Sequence, residues 1–152
     1  MKKKYLYVAS ALVASVALLG CGDDKDDTSG GIEVDADGNQ TITGSLSEWK
    51  VEVSSNKAKA GQVTFVVDNN GTIGHEFLVV KTDIKSGQIP IEEGDRFSEE
   101  NPDLVMIDEI GEYAKGTTET LTVTLDPGTY QLVCNLAAHY GAGMHTDFVV
   151  EA

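Results

Sequence analysis

Cys134, His139 and Met144 stand at steps of five along the run Cys134-Asn135-Leu136-Ala137-Ala138-His139-Tyr140-Gly141-Ala142-Gly143-Met144. A thiol, an imidazole and a thioether are soft or borderline donors, a set that copper accepts and that magnesium or calcium does not. A fourth donor, His75, stands far upstream in Gly74-His75-Glu76-Phe77. A copper site that changes oxidation state must hold both Cu(I) and Cu(II) with little rearrangement. One thiolate and two imidazoles in a plane, with a long axial thioether, compromise between the two preferences. Cys134 is then the thiolate, His75 and His139 the in-plane nitrogens, and Met144 the weak axial donor. One copper ion is the expected cofactor. Zinc also takes thiolate and imidazole, but the thioether suits copper better.

Each of these residues alone has a plainer reading. A cysteine at a strand end is usually a buried hydrophobe, a single histidine a turn or surface residue, and a single methionine core. Taken in register the four favour ligation, although the claim of His75 depends on the downstream run. Glu76, Asn135, Tyr140 and His145 are the residues that would stand behind the ligands. For His145 three readings exist: an outward edge, a further donor in a distorted site, or a solvated side chain, and the last is preferred. Tyr140 reads as a neighbour of the ligands or a surface aromatic, and Trp49 and Met106 read as core.

The elements that must position these donors read as strands. Leu46 to Val53 carries Leu46, Trp49, Val51 and Val53. Val63-Thr64-Phe65-Val66-Val67 lies within Gln62 to Asp68, and Asn69-Asn70-Gly71 is a strong turn signal just before His75. Phe77-Leu78-Val79-Val80, within His75 to Thr82, is apolar enough for a buried strand. Thr120 to Leu125 alternates, with Leu121, Val123 and Leu125 facing one way. Asp126-Pro127-Gly128 turns into a strand from Thr129 to Cys134, and Thr146 to Val150 closes the chain. Short strands between Gly, Pro, Asn and Asp signals indicate an all-β, antiparallel sandwich. Cys134 ends one strand and Met144 leads into the next, so both ends of the metal-binding run are fixed. Its small residues let it turn tightly. Residues 83–115 interrupt the pattern with Pro90, Pro102, many acids and scattered apolar residues. They read as a long excursion with one short helical turn and then a strand near Leu104–Ile107.

The chain starts differently from the way it continues. Lys2-Lys3-Lys4 precedes an apolar stretch from Tyr5 to Leu19, the pattern of an export signal and too short for a membrane span. Leu18-Leu19-Gly20-Cys21 resembles the lipobox of bacterial lipoproteins, which implies cleavage before Cys21 and lipid on its sulfur. Residues 1–20 are therefore expected to be a signal peptide. Residues 21–40 form an acidic tether with a span of roughly 25 Å as a flexible coil, and 41–152 form the domain. Within the tether, Asp35-Ala36-Asp37-Gly38-Asn39 could instead link two short strands. It lacks the bidentate acid of a calcium loop. With Cys21 lipidated, Cys134 has no disulfide partner, and a bare exported thiol oxidises unless buried or metal-bound.

The formal net charge is −14, and loss of the three leader lysines makes it more negative still. That excludes nucleic acid and anionic headgroups as partners and favours a basic redox protein, such as a cytochrome or an oxidase. The membrane contact would be the lipid anchor alone.

Gly74-His75-Glu76-Phe77, the run from Cys134 to Met144, and Asp126-Pro127-Gly128-Thr129-Tyr130 together resemble the cupredoxins, the blue-copper family. The likeness covers roughly residues 45–152. It implies a Greek-key β-sandwich with a single type 1 copper at one end. Bacterial members carry a Cys-Asn-Leu-Pro-Gly-His-Tyr type of loop, and here Ala137-Ala138 stands in place of Pro-Gly. Many members carry Asn after the first histidine, where it ties two ligand loops together, and here Glu76 occupies that place.

Three function classes compete. An electron carrier at the cell envelope, exported and lipid-anchored, is preferred. Copper storage, delivery or resistance is the alternative, weakened because three Met and three His make no metal-rich tract. An enzyme would need ligands for a second, substrate-binding metal, and only His145 is spare.

Overall fold

The computed structural model describes residues 31–152. The expected export signal, Cys21 and the first half of the expected tether lie outside the described residues. Ten strands and one short helix follow in order: β1 (Glu33–Val34), β2 (Gln40–Ser47), β3 (Lys50–Val53), β4 (Lys57–Lys59), β5 (Gly61–Asn69), β6 (His75–Lys81), β7 (Val105–Tyr113), β8 (Thr118–Leu125), β9 (Gly128–Val133), α1 (His139–Ala142) and β10 (His145–Glu151). One sheet runs β1-β2-β5-β8 with β3 also on β2, and the other runs β4-β10-β9-β6-β7. The architecture is the expected all-β sandwich.

Two pairings depart from a purely antiparallel arrangement: β2 with β5, and β10 with β4, are parallel. The chain leaves the first sheet after β3, contributes β4 to the second, and returns as β5 in the direction of β2. That detour across the sandwich is the crossover a parallel pair requires.

The inner faces are filled as period-two patterning demands. On β8, Leu121, Val123 and Leu125 are buried and the threonines between them are exposed. Phe65 of β5 packs on Phe77 of β6 and Phe148 of β10, with ring centroids 5.3 and 5.6 Å apart. Burying one such ring contributes about 1.5–3 kcal/mol.

On β6, Phe77 and Val79 face this core, whereas Leu78 and Val80 face away from it and are still buried. The excursion covers them. Ile89, Phe97 and Leu104 fold back over the outer face of the second sheet, joined by Val133 and Tyr140. The expected helical turn is not there; residues 83–104 are irregular, with one bridge between Ile91 and Phe97. The strand beginning at Val105 runs on to Tyr113. Met106 is partly buried against this outer cluster.

Two further expectations change. Leu46–Val53 is not one strand: the chain reverses at Glu48-Trp49, so that Ser47 faces Lys50 and Leu46 faces Val51. Trp49, at the tip of that reversal, is 46% exposed and lies outside the core. Its place in a turn, rather than on an inward-facing strand position, keeps it there. Residues 35–39 link β1 to β2, and the Asp35 carboxylate accepts hydrogen bonds from Asp37 N, Asn39 N and the Asn39 side chain.

Candidate metal centre

Strand register explains why distant donors meet. β6 and β9 pair antiparallel with Leu78 opposite Val133. The start of β6, where His75 sits, therefore lies at the end of β9, where Cys134 follows. β10 pairs with β9 with His145 opposite Val133, which returns Met144 to Cys134. Cys134 N donates to Met144 O at 3.0 Å, and Met144 N donates to His139 O at 3.1 Å. The run from Cys134 to Met144 is thus a closed loop between neighbouring strands.

Within it, His139 Nδ1 lies 3.2 Å from Cys134 Sγ and 3.3 Å from His75 Nδ1. The three donor atoms fall within 4.8 Å of one another and all three residues are buried. Donors bound at about 2.0–2.3 Å to one ion and spread around it lie about 3.5 Å apart. The arrangement fits a single ion. Met144 is fully buried in the core cluster that also holds Cys134.

The electrostatics suit a soft metal. Burial pushes the Cys134 thiol up to about 11, so without a metal it stays protonated. Burial also lowers both His75 and His139, which leaves each imidazole neutral with a lone pair to donate. Metal binding would displace the thiol proton.

A frame holds the donors. Asn69, fully buried at the end of β5, donates from Nδ2 to Ile73 O and Tyr113 O and accepts from Gly71 N. It shapes the turn that delivers His75. Glu76 does what an asparagine would do there: its Oε1 accepts from Asn135 N at 2.7 Å, tying the two ligand segments together. Burial raises its carboxyl to about 6. The Glu76 backbone N–H points at Cys134 Sγ, 3.5 Å away. The Asn135 side chain accepts from Phe97 N and donates to Phe97 O and Glu99, so the excursion is stitched to the loop.

Ala138 takes φ 68°, a left-handed conformation that costs a non-glycine residue roughly 1–2 kcal/mol. Glycine occupies this place in the related bacterial pattern. Here the excursion holds the strained loop, through Ala138 N to Gly94 O at 2.6 Å and Gly141 N to Asp95 O at 3.1 Å.

The chain matches the family model for copper binding proteins of the plastocyanin/azurin family over residues 39–151. It belongs to that family. Its cofactor is one copper ion, for which His75, Cys134 and His139 supply the donor set.

Solved structures agree on the fold. Dithionite-reduced auracyanin from the photosynthetic bacterium Roseiflexus castenholzii is 22% identical, with TM-score 0.54 over 74% of this chain and 97% of that one. Auracyanin A, a "blue" copper protein from Chloroflexus aurantiacus, is 22% identical, with TM-score 0.54 over 75% of this chain and all of that one. Rusticyanin from Thiobacillus ferrooxidans is 18% identical, with TM-score 0.53 over 74% of this chain and 77% of that one. No curated protein matches by sequence.

Around this cupredoxin site, three residues were not singled out by sequence: Asn69, Glu48 and Trp49 in its supporting role. The Trp49 ring meets His139 edge-on, with centroids 5.2 Å apart. His145, expected to be solvated, is partly buried. Its Nδ1 lies 2.6 Å from Ser86 Oγ and its ring lies against Tyr140. Tyr140 is buried, donating its hydroxyl to Gln131 and accepting from Ile89 N.

Proposed function

We propose that this cupredoxin is a one-electron carrier with a single type 1 copper, which His75, Cys134, His139 and Met144 would hold. The observation that carries the reading is the buried triangle of one thiol and two imidazole nitrogens, closed by a loop that ends in a buried methionine. Bound copper would supply a one-electron couple. The chain would supply rigidity: the loop is hydrogen-bonded at both ends, and Glu76, Asn135 and Asn69 fix the segments that carry the donors. A frame that cannot relax keeps the reorganisation between oxidation states small.

The carrier acts at the cell envelope, exported by its leader and anchored through Cys21. Its redox partner carries positive charge, as the −14 net charge recommends. Electron transfer to such a partner would slow as salt rises.

The experiment is Cu(II) loading of the soluble domain, followed by visible and EPR spectra and the reduction potential. One copper per chain and intense sulfur-to-copper absorption are expected. Tight Cu(I) binding without that band would point to storage or delivery instead. Cys134→Ser removes the colour and leaves the strands folded, and an unchanged spectrum would defeat the assignment. Met144→Gln lowers the potential by donating more strongly to Cu(II), and an unmoved potential would remove Met144 from the axial place.

A further inference from the structure

His75 has two ring nitrogens, and only one is used by the donor triangle. Nδ1 faces Cys134 and His139. Nε2 points the other way, buried, with no hydrogen-bond partner. The nearest charged group to it is Glu48 Oε1, 3.7 Å away. An imidazole that binds a metal through Nδ1 carries its proton on Nε2, and such protons are ordinarily received by a carboxylate or carbonyl.

Glu48 comes from the opposite sheet, at the reversal between β2 and β3. Its Oε1 accepts from Thr72 N at 2.7 Å, from Thr72 Oγ1 at 3.1 Å and from Ile73 N at 3.2 Å. Those three bonds hold the carboxylate in place beside the ring. The space between carboxylate and ring exists because residue 71 is glycine. A Cβ on Gly71 would stand 2.6 Å from His75 Nε2 and 2.9 Å from Glu48 Oε1. The next residue in the reversal, Trp49, meets the other imidazole, His139. One two-residue turn therefore touches both histidines from outside.

We infer that Glu48 is a positioning residue of the copper centre, receiving the outer N–H of His75 and biasing the site toward Cu(II) with its negative charge. This rests on the reading of His75 as a ligand. Closing 3.7 Å to an ordinary hydrogen bond takes about 0.7 Å. Oxidised copper adds a unit of positive charge to the far side of the ring, and the fixed carboxylate stabilises that state more than the reduced one.

The test uses copper-loaded wild type, Glu48→Gln and Gly71→Ala, with reduction potentials and with Cu(I) and Cu(II) affinities from chelator competition. Glutamine keeps an oxygen for Thr72 and Ile73 while losing the charge, and circular dichroism of each copper-free protein checks the fold. Removal of a group that orients a metal-bound histidine costs about tenfold in affinity. The loss is expected for Cu(II) and not for Cu(I), which raises the potential of a one-electron couple by about 59 mV. Gly71→Ala keeps the charge but drives a methyl between the two groups, and its potential moves in the same direction. A Glu48→Gln potential equal to that of wild type would overturn the inference while leaving the copper site standing. A wild type that takes up no copper would overturn the proposed function first.

Discussion

The two faces of the second sheet are both buried, yet they are buried differently. Its inner face meets another sheet: Phe77, Val79, Leu132, Cys134, Met144 and Phe148 belong to one continuous core with Ile42, Phe65 and Leu121. Its outer face meets only the excursion, through Leu78, Val80, Val133 and Tyr140 against Ile89, Phe97 and Leu104. The metal loop lies where the two faces end. Cys134 and Met144 belong to the inner core and Tyr140 to the outer cluster. The inner side is what any β-sandwich needs in order to exist. The outer side is an addition: its polar stitches from Gly94, Asp95 and Phe97 land on the loop itself, and those from Ile84 and Ser86 land on β9 and β10. The first makes the fold and the second holds the loop in its shape.

Removing a ring from each side sharpens that division. Phe65→Ala opens a cavity between two sheets that cannot close up. It should cost about 3–5 kcal/mol of global stability, read from denaturant unfolding of the copper-free protein, with the whole domain unfolding in one step. Phe97→Ala should cost less, about 2 kcal/mol, because the excursion can peel away and cap the loss. Its signature is local. Amide hydrogen exchange at Phe97, Ala138 and Gly141 should quicken roughly 30-fold, while the amides of β5 and β8 keep their protection. If Phe97→Ala speeds exchange evenly across both sheets, the outer cluster is part of the global core and the distinction fails.

What could be read from the sequence follows the same division. The donors at 134, 139 and 144 were legible because they share one loop, so spacing alone brings them close. β8 was legible because only one of its faces is buried, and β6 because both are, which makes its apolar run continuous. Strand direction was not legible: alternation looks the same in a parallel and an antiparallel pair, so the β2–β5 pairing had no local signal. The excursion buries Ile89, Phe97 and Leu104 without regular structure, so no period marks them. Glu48-Trp49 was absorbed into a strand because Trp49, Val51 and Val53 alternate with polar residues from the reversal onward. Its contacts with His75 and His139 cross between sheets, where local pattern says nothing. Ala138 hid a left-handed turn that only glycine would have advertised.

The smallest effect tests how close the outer cluster comes to the metal. Tyr140 sits beside His139 in the chain, but its hydroxyl serves the excursion and the sheet: it accepts from Ile89 N at 3.2 Å and donates to Gln131 Oε1 at 3.3 Å. Tyr140→Phe keeps the ring packed against Phe97 and His145, whose centroids lie 5.0 Å away in each case. It leaves the Ile89 N–H without its acceptor, whereas Gln131 still donates to Ile84 O. An orphaned buried donor costs about 1–3 kcal/mol. The low end applies here because Ile89 lies in an irregular segment that can shift toward water. A loss of about 1 kcal/mol lowers the melting temperature by about 4 °C in a domain of this size. The copper absorption and potential should not move, because the hydroxyl touches neither a ligand nor a group that orients one. A shifted spectrum in Tyr140→Phe would mean that the outer cluster does more than hold the loop, and that the strain at Ala138 is transmitted to His139 through the neighbouring ring.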